Sequence, residues 1–67
     1  METVEFWKED FKNNNRKVKD EIEETIGSIS NERLWLKGSS SKEEEEMFLK
    51  NIEELEEYLE WLRQLDK

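Results

Sequence analysis

The last third of the chain carries its most regular hydrophobic pattern. Five apolar residues recur at alternating intervals of four and three residues: Phe48, Ile52, Leu55, Leu59 and Leu62. This alternation is typical of a helix that buries one face against a neighbouring helix. Ser40 or Ser41 can cap the first turn, with Glu43 or Glu44 three residues further on, as in a capping box. The pattern therefore predicts a helix over residues 41–66.

The first half of the chain carries a longer and less regular apolar stripe. Its members follow helical spacing: Val4, Trp7, Phe11, Val18, Ile22, Ile26, Ile29 and Leu36. Asn13–Asn15 and Gly27–Asn31 interrupt it, because asparagine, serine and glycine favour turns and caps over helix interiors. Each of these two segments is a turn or a kink. Lys37 and Gly38 mark a helix stop, with the glycine able to take the left-handed conformation beyond the last turn.

A chain reversal at residues 38–41 sets the geometry of the two longer helices. In an antiparallel hairpin closed there, the end of the final helix lies opposite residue 15, so residues before it have no partner in that helix. Four apolar residues would then project beyond the hairpin without cover: Val4, Phe6, Trp7 and Phe11. Either the chain turns at Asn13–Asn15 and lays a short helix back on the hairpin, or two long hairpins dimerise into a four-helix bundle.

We favour the turn, so the predicted fold is all-α, a small three-helix bundle built on an antiparallel helical hairpin. The helices are expected over residues 3–12, 16–36 and 41–66. A chain of 67 residues has room for one core at most. We therefore expect a single helical domain that spans residues 1–67, with the dimerising long hairpin as the alternative.

The residue types present disfavour most kinds of catalytic chemistry. The chain has no cysteine and no histidine, and so lacks the usual ligands of zinc, haem and iron–sulfur clusters. Its serines and threonines have no histidine to act as a base. Its many carboxylates show no spacing that singles out a catalytic pair. We expect a protein that is not an enzyme and that has no cofactor, metal site or small-molecule substrate.

The charge balance narrows the range of partners. Nineteen acidic and eleven basic residues give a net charge of −8, which repels nucleic acids and anionic membranes. No basic-then-apolar leader is recognisable, and no apolar run approaches the ~20 residues of a membrane span. We therefore expect a cytoplasmic protein that binds neither nucleic acid nor membrane. Basic residues gather at 12–19, where Arg16–Asp20 and Lys17–Glu21 are expected to pair within the chain.

Apolar residues outside the two stripes suggest a surface for a partner. Leu34, Trp35 and Leu36 are consecutive, and one face of a helix cannot bury all three. Leu49 and Tyr58 also lie beside the main stripe of the last helix. We predict that Leu34, Trp35, Leu49 and Tyr58 form a partner-facing patch, because large aromatic side chains commonly anchor interfaces. The partner would be another protein or a second copy of the chain.

These features favour a non-enzymatic helical protein–protein interaction or scaffold module. The alternative is a small acidic inhibitor that mimics nucleic acid and occupies a basic groove of its partner protein. The carboxylates that would make that contact lie in the last third of the chain: Glu43, Glu44, Glu45, Glu46, Glu53, Glu56, Glu57 and Glu60.

Two further interpretations follow from the overall layout. The serine cap, the glutamate-rich first turn and the Gly-Ser-Ser-Ser connection at residues 38–41 suit a de novo designed helical bundle without a biological function. The order of helix, short glycine turn and helix is similar to that of the small hairpin chaperones of type III secretion needles. That resemblance implies a helical-hairpin chaperone, and it is one of layout that transfers no site residue.

Overall fold

The computed structural model describes residues 3–67 of the chain. Within that range it has three helices, α1 (Thr3–Asn13), α2 (Val18–Lys37) and α3 (Lys42–Leu65). α2 and α3 form an antiparallel hairpin, and α1 folds back onto α3. The predicted all-α three-helix bundle is therefore confirmed, and the observed bounds lie within two residues of those predicted.

The asparagine tract forms the turn that reverses the chain after α1. The Asn14 side-chain amide donates to the Asp10 carbonyl at 2.8 Å and to Asp10 Oδ1 at 2.7 Å, which closes the last turn of the helix. Asn15 then adopts a positive φ of 52°, a conformation that asparagine tolerates better than most residues. The turn alternative at Asn13–Asn15 is thus the correct one.

The second interruption, Gly27–Asn31, is neither a turn nor a break, since α2 runs through it from Val18 to Lys37. Ile29 is buried inside it and clusters with Ile52 and Leu59 of α3. This burial outweighs the cost of about 0.5–1 kcal/mol that a glycine adds to a helix interior.

The ends of the hairpin connection are set by backbone and serine hydrogen bonds. Gly38 has a φ of −95°, so the predicted left-handed conformation at this position is wrong. Instead its N–H donates to the Trp35 carbonyl at 3.0 Å and continues the last turn of α2. Ser41 is the N-cap of α3, and its Oγ accepts from the Glu44 N–H at 3.1 Å. The Glu44 carboxylate in turn accepts from the Ser40 N–H at 3.1 Å.

The α2–α3 hairpin has two halves that differ in how they are covered. We call residues 18–28 and 55–65 the proximal half, and residues 32–37 and 42–51 the distal half. α1 covers the proximal half and runs parallel to α3, since Trp7 meets Tyr58 and Phe11 meets Trp61. The proximal core comprises four buried residues: Val4, Phe11, Tyr58 and Leu62.

Phe6 departs from the expectation that α1 buries its whole aromatic group. Val4 and Phe11 are buried, and Trp7 is half-buried, but Phe6 is 55% exposed. Successive helix residues are separated by about 100°, so Phe6 lies away from the face that Val4, Trp7 and Phe11 share. The folded-back helix therefore covers three of the four residues that the hairpin leaves over.

Candidate interaction surface

Four large apolar side chains are exposed on the distal half. Leu34 and Trp35 at the end of α2 are 63% and 57% exposed, and Met47 and Leu49 near the start of α3 are 52% and 48% exposed. Single exposed apolar residues are ordinary, but a group at one end of a small helical hairpin is typical of an interaction site.

Trp35 and Phe48 connect the two helices at the centre of this group. Their ring centroids are 6.3 Å apart and the rings are inclined by 44°, a geometry that is favourable for aromatic pairs. Phe48 is half-buried beneath the exposed Trp35. The pair forms an apolar floor between α2 and α3.

This floor continues the groove in which α1 lies. Trp35 follows Ser28 by seven residues, or about two turns, and so lies on the same side of α2. Met47 precedes Tyr58 by eleven residues, or about three turns, which places it on the side of α3 that faces α1. Trp35, Met47 and Phe48 therefore extend the α1 binding groove into the distal half, and we call them the distal floor.

α1 ends where the distal floor begins. A cavity of about 320 Å³ lies at its first turn and is lined by residues of all three helices: Thr3, Trp7, Ser28, Glu32, Asn51, Glu54 and Leu55. With 11 residues, α1 is roughly 16 Å long, whereas the 24 residues of α3 span roughly 36 Å. The short helix can therefore fill only about half of the groove.

The structure brings the predicted partner-facing residues together only in part. Leu34 and Leu49 are exposed, but each is one position, or about 100°, away from a floor residue. Leu49 consequently lies on the side of the hairpin opposite Met47, and Leu34 points away from α3. Of the predicted set, Trp35 belongs to the distal floor.

Tyr58 lies in the proximal core, which corrects its predicted place on an exposed patch. It is 5% exposed, and its ring centroid lies 5.5 Å from that of Trp7 and 5.9 Å from that of Trp61. Burial and then the negative charge of Glu21 raise the pKa of the Tyr58 phenol to about 12. The docked α1 helix covers the side of α3 that carries Tyr58, so it is unavailable to a partner in this fold.

Met47 and Glu32 are groove residues that the sequence patterns did not single out, and Phe48 is one that they placed in the core. Phe48 is the first residue of the regular stripe of α3 and Met47 precedes it, so both resemble ordinary core positions. The one signal in the sequence was geometric, because a first helix of about ten residues cannot cover a hairpin of more than twenty residues per arm.

The charges on the groove side of the distal floor are mainly acidic, although Lys50 of α3 lies near it as well. Glu32 lines the cavity at the first turn of α1, and so does Glu54. Arg33 lies on the other side of the hairpin, where it pairs with Glu56 at 3.7 Å. Helical positions place Lys42 on that other side as well.

Glu32 has an unusual environment for a carboxylate. Its Oε2 atom is buried and has no hydrogen-bond partner among residues 3–67. A buried carboxylate oxygen without a donor is costly, since it loses water and gains nothing in exchange. Glu32 therefore holds an unused acceptor below the surface, at the boundary between α1 and the distal floor.

A second polar cluster, formed by Arg16 with Asp10 and Glu21, has a structural role next to the proximal half. Arg16 joins the two helices, with Nη2 3.2 Å from Asp10 of α1 and Nη1 3.1 Å from Glu21 of α2. The hydrogen bond and charge of Glu21, and then the charge of Asp10, raise the pKa of Arg16. The predicted pairs Arg16–Asp20 and Lys17–Glu21 are therefore wrong. Arg16 pairs with Asp10 and Glu21 instead.

Glu21 is buried, so its carboxylate depends on Arg16 for compensation. The cleft of about 270 Å³ beside this pair is lined by Trp7, Thr25 and Tyr58 as well. These groups hold α1 against the hairpin, and we assign the cleft no binding role.

Neither a metal centre nor a membrane span is found in the part of the chain that the structure describes. No three acidic side chains of residues 3–67 converge as metal ligands. None of its helices has both the length and the apolar character to cross a bilayer. Comparison with protein-family models, with curated proteins and with solved structures finds no match to the chain. The distal floor and its acidic border are thus the features on which a functional proposal rests.

Proposed function

We propose that the protein is a non-enzymatic helical interaction module that binds another protein through its distal floor. The observation that carries this proposal is the 57% exposure of Trp35 at the centre of an apolar groove that α1 leaves uncovered. Tryptophan is the residue type most enriched at binding hot spots, and one that stays in water forfeits about 1.5–3 kcal/mol of burial.

The contrast with the other aromatic residues supports this assignment. Trp7 and Trp61 are half-buried by contacts with Tyr58, and Phe11 lies edge-on to Trp61 at 5.7 Å. Lys8 and Lys12 place their ammonium groups 5.7 and 5.8 Å from the centroid of the Trp61 ring. Each of these aromatic side chains packs against others inside the fold, whereas more than half of the Trp35 side chain is exposed to water.

The experiment is quantitative affinity capture from extract of the source cells, using the full chain, Trp35→Ala and Phe6→Ala. Phe6 is the matched control, because its exposure of 55% is close to the 57% of Trp35 and it lies on α1 outside the groove. We expect the unmodified chain and Phe6→Ala to retain one stoichiometric partner that Trp35→Ala loses. The proposal would be overturned if no protein is captured, or if Trp35→Ala captures the same proteins as the unmodified chain.

The acidic-inhibitor alternative has its own support in the exposed carboxylates of α3. Glu43, Glu53, Glu57 and Glu60 are exposed, and the whole chain carries a net charge of −8. Salt distinguishes the two functions, because binding by exposed charges should collapse between roughly 50 and 200 mM salt and apolar docking should change little. A steep salt dependence together with unchanged binding by Trp35→Ala would favour the inhibitor.

A further inference from the structure

We infer that the distal floor receives a basic amphipathic helix of the partner protein, seated in the α2–α3 groove beyond the first turn of α1. This inference rests on the proposed function and adds the chemical class of the partner. Three observations carry it: the continuity of the groove, the sign of its border and the unused acceptor of Glu32.

α1 shows what this groove binds. It packs Val4, Trp7 and Phe11, spaced three and four residues apart, on α3, with side chains of α2 beside them. The same two helices continue past Thr3 with an apolar floor of Trp35, Phe48 and Met47. An amphipathic helix with apolar residues at the same spacing fits the continuation as α1 fits the beginning.

The charges of the groove select a cationic helix. Glu32 and Glu54 border the cavity at the first turn of α1, and Glu44 lies on the groove side of α3 one turn before Met47. Among residues 3–67, Lys50 of α3 also lies near this border, one turn from Met47 and from Glu54, but the three carboxylates outnumber it. Arg33 is engaged by Glu56 on the other side of the hairpin. A helix with Lys or Arg beside its apolar stripe would meet opposite charge along both borders.

The buried Oε2 atom of Glu32 gives the border one specific contact. It has no donor in residues 3–67, and an incoming ammonium or guanidinium group would supply one once the carboxylate turns outward into the groove. A charge-assisted hydrogen bond in a partly desolvated groove is stronger than an exposed ion pair.

Charge also argues against a second copy of the chain as the occupant. Two distal floors in contact would bring the acidic borders of both copies together, along with the exposed run Glu43–Glu46 of each. Like charges in an interface oppose association. A partner with net positive charge avoids this repulsion.

The test uses a designed helical peptide as the probe, with apolar residues at the α1 spacing and lysines on both flanks. A second peptide keeps the apolar residues and replaces the lysines by glutamates. Both are titrated into the ¹⁵N-labelled full chain while the three tryptophan indole N–H signals are followed by NMR. We expect the lysine peptide to bind saturably and to shift the Trp35 signal most, with Trp61 least affected.

Matched variants test the floor and the border separately. Trp35→Ala should weaken the lysine peptide about tenfold or more, whereas Phe6→Ala should bind like the unmodified chain. Glu32→Gln should weaken it about two- to fivefold, and Glu53→Gln, an exposed carboxylate away from the groove, should not. Circular dichroism of each variant verifies that the helices remain.

The outcomes separate this inference from the proposed function. Trp35-dependent capture of a partner without binding of the lysine peptide would overturn the inference alone, as would equal binding of the glutamate peptide. If light scattering shows a dimer that Trp35→Ala dissociates, the occupant of the distal floor is a second copy of the chain, and the inference of a basic helix is wrong. Loss of both capture and peptide binding would overturn the inference and the proposed function together.

Discussion

The α2–α3 groove runs through both halves of the hairpin, but it is covered in the proximal half and open in the distal half. In the proximal half, α1 fills the groove and leaves Leu62 fully buried. In the distal half, no helix of residues 3–67 covers the groove, and Trp35 is the residue at its centre. The comparison separates residues that hold the fold together from residues whose apolar surface the fold does not use.

Truncation of the proximal core is expected to have the largest effect. Leu62→Ala removes a side chain with 0% exposure and should lower the free energy of unfolding by about 2–5 kcal/mol. Trp35→Ala, in the distal half, should lower it by at most about 1 kcal/mol. Urea denaturation followed by far-UV circular dichroism measures both, and equal losses would show that the two halves are not distinct.

The cation that holds α1 to the hairpin gives the next contrast. Arg16→Ala leaves the buried Glu21 carboxylate without its partner at 3.1 Å, and so should lower the urea midpoint. Arg33→Ala removes an exposed pair with Glu56 at 3.7 Å and should hardly change it. If the two variants unfold at the same urea concentration, the Arg16 network does not secure α1.

Alkaline titration tests whether α1 stays docked over Tyr58. This is the single tyrosine of the chain, so its ultraviolet absorbance reports one phenol, whose pKa should be about 12 instead of the ordinary 10.0. Because the folded pKa is raised, the stability it reflects is complete below pH 10 and is lost as the pH rises towards 12. Tyr58→Phe should remove that part of the loss, and ionisation near pH 10 would mean that α1 leaves Tyr58 in water.

The smallest effect is expected at Gly27, near the end of the proximal half of α2. A Cβ atom added at Gly27 would find no other atom within 4 Å, so Gly27→Ala should raise the free energy of unfolding by about 0.5–1 kcal/mol. The helix content should stay the same, because α2 is already continuous there. Thermal unfolding measures the gain, and a loss would indicate that α2 needs flexibility at this position.

Local sequence signals predicted the ends of the helices better than their surroundings. The turn at Asn13–Asn15 and the cap at Ser41 depend on the hydrogen bonds of a few neighbouring residues, and both were correctly inferred. The continuous helix predicted over residues 16–36 is also observed, but the local sequence left open whether Gly27–Asn31 is a turn, because the burial of Ile29 against another helix decides it.

The placement of the candidate surface depended on long-range packing. Tyr58 and Phe6 were assigned to the wrong environments, since the landing position of α1 on α3 determines which of their faces meets water. The exposure of Trp35 could be inferred from three consecutive apolar residues, whereas its pairing with Phe48 required the register of the hairpin.

The parallel packing of α1 on α3 sets an order of events during synthesis. A ribosome makes α1 first and its contact residues Tyr58, Trp61 and Leu62 only after α2 and most of α3 have emerged. Val4 and Phe11 therefore remain without their native partners until most of α3 has been made, while the α2–α3 hairpin closes over a loop of four residues, 38–41. We therefore expect α1 to be the last of the three helices to dock.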